Sequence, residues 1–85
     1  MRHPHPRPIK ILEKKLLREK AEGQAYKTDR KIEIDPRLRN RCRLEALTHE
    51  LLHILFPKKS EYQVRKCARE IADRLWEDGY RRIYH

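Results

Sequence analysis

The chain has 85 residues, 38% hydrophobic and 41% charged, with 22 lysines and arginines against 13 acids for a formal net charge of +9. A chain of that length builds one small core, able to supply only a few kcal/mol before a metal, a partner or a disulfide adds to it. No apolar run approaches the ~18 residues of a membrane span, and Cys42 and Cys67 are too few and too far from CxxC spacing for a disulfide scaffold.

Residues 1–8, MRHPHPRP, alternate proline with histidine or arginine and predict an extended, mobile arm. The arm is basic and carries no apolar targeting segment, so the expected product is a soluble protein that stays in the cytoplasm where it is made. There the two cysteines are expected to be reduced, one buried and one half-exposed.

Residues 9–85 are expected to form a single domain. Ile9 and Ile11 alternate, and so do the residues of Lys31-Ile32-Glu33-Ile34-Asp35, a short half-buried strand preceded by the turn signal Thr28-Asp29-Arg30. The stretch LEKKLLREKAE between them suits either a helix at 12–22 stopped by Gly23 or a strand pair turning at Glu22-Gly23. The strand reading gives a small antiparallel β-meander of about three strands.

Asp35-Pro36 punctuates the chain, and the helix after it starts either at 36 or beyond Asn40. From Arg41 on, Leu44, Leu47, Leu51, Ile54 and Leu55 recur at helical spacing, and Phe56-Pro57 ends the run. Ser60 is a natural N-cap for a second helix from Glu61 to about Asp78, with Gly79 as its stop. The basic, aromatic tail GYRRIYH either folds back or frays. The expected fold is therefore α+β, a strand meander followed by two packed helices.

The first helix contains THELLHILFP. Residues i and i+4 lie one turn apart on one face, so His49 and His53 can offer two ring nitrogens to one tetrahedral Zn²⁺, while Glu50 is placed to take a proton from an attacking water. This is the HExxH arrangement, and it requires the helix that the leucine stripe independently predicts. The longer HExxHxxGxxH pattern is absent, because Phe56 and Lys59 occupy its last two positions.

A third ligand is therefore sought on the second helix. At about 100° per residue, Val64, Arg65, Ala68, Ile71, Ala72, Leu75 and Trp76 fall on one arc with Glu61 at its middle, and Glu70 lies opposite. A carboxylate centred on a packing face must be paired or coordinating. His49, His53 and Glu61 are the expected metal ligands, one zinc per chain.

From Arg30 to Arg82, through KIEIDPRL, LEALTHELLHILFP and SEYQVRKCAREIADRLW, the chain resembles the minimal zincins, small prokaryotic and phage domains with a strand meander, an HExxH helix and a second helix bearing a glutamate. The last segment is similar to the ExxA…A pattern of ImmA/IrrE-like peptidases, with Val64 where alanine is usual and HELLH where HELGH is common. The basic charge is similar to that of SprT-like proteases, without their zinc-ribbon cysteines. The resemblance implies a zinc peptidase of gluzincin type in a prokaryotic or phage-infected cytoplasm, with Glu61 as third ligand, Glu50 as general base and a protein or peptide substrate. It also implies an exposed edge strand that pairs with the substrate backbone. By position that strand is Lys31, Ile32, Glu33 and Ile34, with Asp35 after them. An oxyanion stabiliser is expected from Tyr26, Tyr62, Tyr80 or a tail arginine.

A second expectation belongs to another class. A catalytically silent module can keep its zinc for folding and use its basic surface to bind nucleic acid or a regulatory protein. A metal-free packing module in which the histidines are structural is the third.

Overall fold

The computed structural model describes residues 7–16 and 22–83. Most of the expected arm lies outside them. Arg7, its last arginine, is tied to the turn before β3, donating to the Thr28 carbonyl at 3.0 Å and accepting from Arg30 Nε at 2.7 Å. The elements in chain order are β1 (Lys10–Glu13), β2 (Gly23–Tyr26), β3 (Lys31–Ile34), α1 (Asn40–Leu55) and α2 (Glu61–Glu77). The α+β class is as expected.

The strand pairing corrects the expected meander. The sheet order is β1-β3-β2, with β1 parallel and β2 antiparallel to β3. Residues 12 and 13 belong to β1, so no helix begins at 12, and residues 17–21 lie outside the described part. β1 and β2 do not pair with each other. β3 is the most buried strand, and the middle place satisfies its backbone on both edges.

Ile32 and Ile34 are completely buried and point towards α1, where Ala46 and Ile54 meet them, with Leu47 and Leu51 packed alongside. Glu33 and Asp35 face the other way and are buried too, so the strand is not half-buried as its alternation predicts. Glu33 accepts from the Tyr26 hydroxyl at 3.0 Å and has Lys14 within 3.7 Å. That hydrogen bond raises the Tyr26 pKa above its usual value.

Asp35 is 1% exposed and receives Arg37 through both its backbone N–H and its guanidinium. The guanidinium hydrogen bonds, helped by the Arg37 and Leu16 amides, hold its carboxyl well below the usual range against the opposing effect of burial. Because the folded pKa is depressed, the stabilisation is present above the unfolded value of about 4 and is lost as pH falls below it. Asp35→Asn is expected to be less stable than wild type at pH 7, with the gap narrowing as pH drops from about 5 to 2. Urea midpoints across that range check this, and a gap independent of pH would assign Asp35 a packing role alone.

Asp35 thus caps a turn, not a helix: α1 starts only at Asn40, whose φ of 56° lies in the left-handed region that asparagine tolerates. α1 is the middle layer, with the sheet on one side and α2 on the other. α2 presents Val64, Ala68 and Ala72, all fully buried, whose small side chains permit close helix approach. Ser60 caps it as expected, in a capping box with Gln63 in which each side chain bonds the other residue's backbone N–H. At the other end Gly79 has φ 92°, and the Gly79→Trp76 and Tyr80→Leu75 backbone bonds form a Schellman stop. The tail folds back along the helices, with Arg82 bonded to Glu13 at 3.1 Å. No helix among the described residues is long and apolar enough to cross a membrane.

Candidate metal centre

The end of α1 and the start of α2 are joined by residues 56–60, and this short link decides which side chains meet. His49 and His53 stand one turn apart on α1, their rings 4.9 Å between centroids. Glu61, the first residue of α2, lies directly across from them.

The three side chains converge. His53 Nε2 is 3.2 Å from His49 Nε2 and 2.7 Å from Glu61 Oε1, and His49 Nε2 is 3.1 Å from Glu61 Oε2. A tetrahedral ion with bonds of 2.0–2.1 Å needs ligand atoms about 3.3 Å apart, close to this triangle. The His49–His53–Glu61 group can hold a metal ion. Arg65 Nη2 donates to Glu61 Oε2 at 3.3 Å from the next turn of α2. Burial works against ionisation of Glu61, but the charge of His49, the hydrogen bond from His53 and the Arg65 charge outweigh it, so its pKa lies below the ordinary value.

Glu61 is not buried at the centre of the apolar face. Its side chain is 53% exposed, because an end residue on the packing arc projects past the partner helix. Glu70 is exposed and takes no part in the cluster.

Glu50 lines the same cleft as the three ligands. Burial, with the negative charges of Glu61 and Glu22 adding to it, pushes its pKa up to about 7. A carboxyl poised there can accept and return a proton near neutral pH, and a cation beside it would draw the value down. Its wall is Gly23: a Cβ there would sit 3.0 Å from Glu50 Cγ, 3.1 Å from Ile34 Cδ1 and 3.3 Å from the Glu33 carbonyl oxygen. Gly23→Ala is therefore expected to displace Glu50 and cut any activity that depends on it, with metal content unchanged. Parallel zinc and turnover measurements on the variant check this, and unimpaired turnover would show that the wall is dispensable.

The remaining lining comes from β2 and the turn after it, Gln24, Ala25 and Lys27. This corrects the expected substrate strand. Lys31, Ile32, Glu33 and Ile34 form the central strand, whose backbone groups are taken by β1 and β2, so they offer no free edge. The sheet edge beside the ligands belongs to β2. No expected oxyanion donor lines the cleft either: Tyr26 bonds Glu33, Tyr62 lies along α2 beside Lys66 and Arg69, and Tyr80 with Arg81 and Arg82 sits at the far end of α2. Lys27 does line it, its Nζ 3.4 Å from the Pro57 carbonyl. The sequence signal for Lys27 was weak, since a lysine before a turn reads as surface charge. Neither cysteine takes part: Cys42 is exposed and Cys67 half-buried, so neither is the expected buried thiol.

Compared with protein-family models, curated proteins and solved structures, the chain finds no match.

Proposed function

We propose that the protein is a zinc-dependent peptidase. The observation that carries this reading is that three ligand side chains, a carboxylate of raised pKa and a sheet edge all border one cleft. Two imidazoles and one carboxylate with room for a further ligand is the donor set of catalytic zinc, and the resemblance to the minimal zincins points the same way.

Bound zinc supplies Lewis-acid polarisation of a carbonyl and lowers the pKa of a water to about 7. The chain's own residues do the rest. A peptide strand is added along the free edge of β2, which fixes the scissile bond over the cleft. Glu50 accepts the proton of the attacking water and returns it to the leaving amine. Lys27 stands on the cleft wall and supplies a cationic donor for developing negative charge.

Protein purified without a histidine tag is expected to contain one zinc per chain and to cleave peptides in a complex mixture, with new termini seen by mass spectrometry and lost on chelation. Zinc content well below one per chain would overturn the reading.

A further inference from the structure

The corner where α1 passes into α2 adjoins the metal centre. Leu55, Phe56, Pro57, Lys58, Lys59 and Gln63 line a shallow groove there, of about 480 Å³. Leu55 and Phe56 are 53% and 48% exposed, although they directly follow Ile54, which the core buries. Neighbouring large apolar side chains left half in water beside a polar rim are the mark of an interaction surface. Lys59 leans over the Phe56 ring at 5.7 Å from its centroid, which leaves the ring open to a further contact. Lys27 joins the groove to the cleft of the metal centre: it lines the cleft, and its Nζ lies 3.4 Å from the carbonyl of Pro57, which lines the groove. Lys58 and Lys59 are exposed, and among the described residues no carboxylate pairs with Lys27, Lys58 or Lys59.

We infer that this groove binds an acidic, apolar segment of a protein chain, its apolar side chains seated on Leu55 and Phe56 and its carboxylates facing Lys27, Lys58 and Lys59. Ammonium groups without acidic partners attract a surface of complementary charge and reject a basic one. A bare polyanion would satisfy the lysines but leave Leu55 and Phe56 in water, so a peptide fits the groove better than a nucleic acid does. Lysine is a point charge on a flexible stem and meets carboxylates at variable positions, whereas a guanidinium fork demands one geometry. The preference is therefore for composition, an apolar residue with acidic neighbours, and not for one fixed sequence. Calling that segment substrate rests on the proposed function: a peptide leaving the cleft past Lys27 meets Pro57 and the groove next. The binding itself does not depend on catalysis.

The test uses the zinc-loaded full chain carrying Glu50→Gln, so that a bound peptide stays whole, and the anisotropy of fluorescein-labelled decapeptides. The probe has two central leucines flanked on each side by two glutamates, with serine and glycine at the ends. One control replaces its glutamates with lysines, a second replaces its leucines with serines, and a pentathymidylate carries the same number of backbone charges. The probe is expected to bind, less tightly as salt rises, and both peptide controls to bind roughly fivefold more weakly or worse. Phe56→Ser and the double variant Lys58→Glu/Lys59→Glu should each weaken the probe by roughly fivefold or more. Both lysines are exposed, so the double variant should melt like its parent. Lys66→Glu/Arg69→Glu, the same charge change further along α2, should bind within about twofold of the parent, since screening over about 8 Å isolates the two places. Binding of the probe by a wild type that cleaves no peptide would overturn the peptidase reading and leave the groove assignment standing. No binding of the probe at millimolar concentration, equal binding of either peptide control, tighter binding of the pentathymidylate, or indifference to both groove variants would each overturn the assignment.

Discussion

Glu50→Gln is expected to remove peptide hydrolysis, by about 10²–10⁴-fold, while leaving one zinc per chain in place. The amide matches the carboxyl in shape and fits the same space beside Gly23, so the cleft should not collapse. What it loses is the ability to accept a proton. Because burial disfavours the ionised carboxylate in the metal-free site, the neutral amide should be tolerated without loss of stability. Turnover of a fluorogenic peptide, zinc content and melting temperature measured on one preparation separate these effects. Full turnover in the variant would move the base to another residue, and loss of zinc would mean that Glu50 supports the ligands instead.

The second large effect comes from the ligands themselves. His53 Nε2 stands within hydrogen-bonding range of both His49 and Glu61, so removing it opens the triangle completely. His53→Ala is expected to lose zinc. Chelation of the wild type should lower its melting temperature steeply, whereas chelation of His53→Ala should not move it. An ion present at a thousand times its dissociation constant stabilises the fold by about 4 kcal/mol. Small domains are stable by only about 5–15 kcal/mol in all, so that contribution is a large fraction of the whole. Glu61→Ala should fall between the two, since two imidazoles one turn apart remain on α1. A wild-type melting temperature indifferent to chelator would rule out a structural or catalytic ion at this centre.

Much of the helical part was legible in the sequence. Leucines at helical spacing, a Ser60 cap and a glycine stop are local signals, and local signals decide helices. HExxH names three of the four central residues because the spacing is itself the geometry. The sheet was harder. Alternation marked Lys31–Ile34 as a strand but held no information on its neighbours, and β3 became the centre only through pairing with chain on both sides. Glu61 was placed on the right arc but too deep, since a helical wheel gives angle and not position along the axis. Gly23 and Lys27 carry no motif at all. They matter because an edge strand passes the cleft, which is a property of topology.

The short link between α1 and α2 also bears on how the centre comes into being. His49 and His53 are four positions apart, and His53 and Glu61 eight, so all three ligands belong to one helical hairpin. Closing so short a loop costs little entropy, and contacts this local form early in folding. The three side chains that can hold a metal ion therefore need no part of the sheet to come together. The wall of Glu50 comes from far upstream, at Gly23, and waits for β2 to dock. On the proposed function, the ligand set needs only this local hairpin, whereas the wall of the base needs a contact from far upstream in the chain.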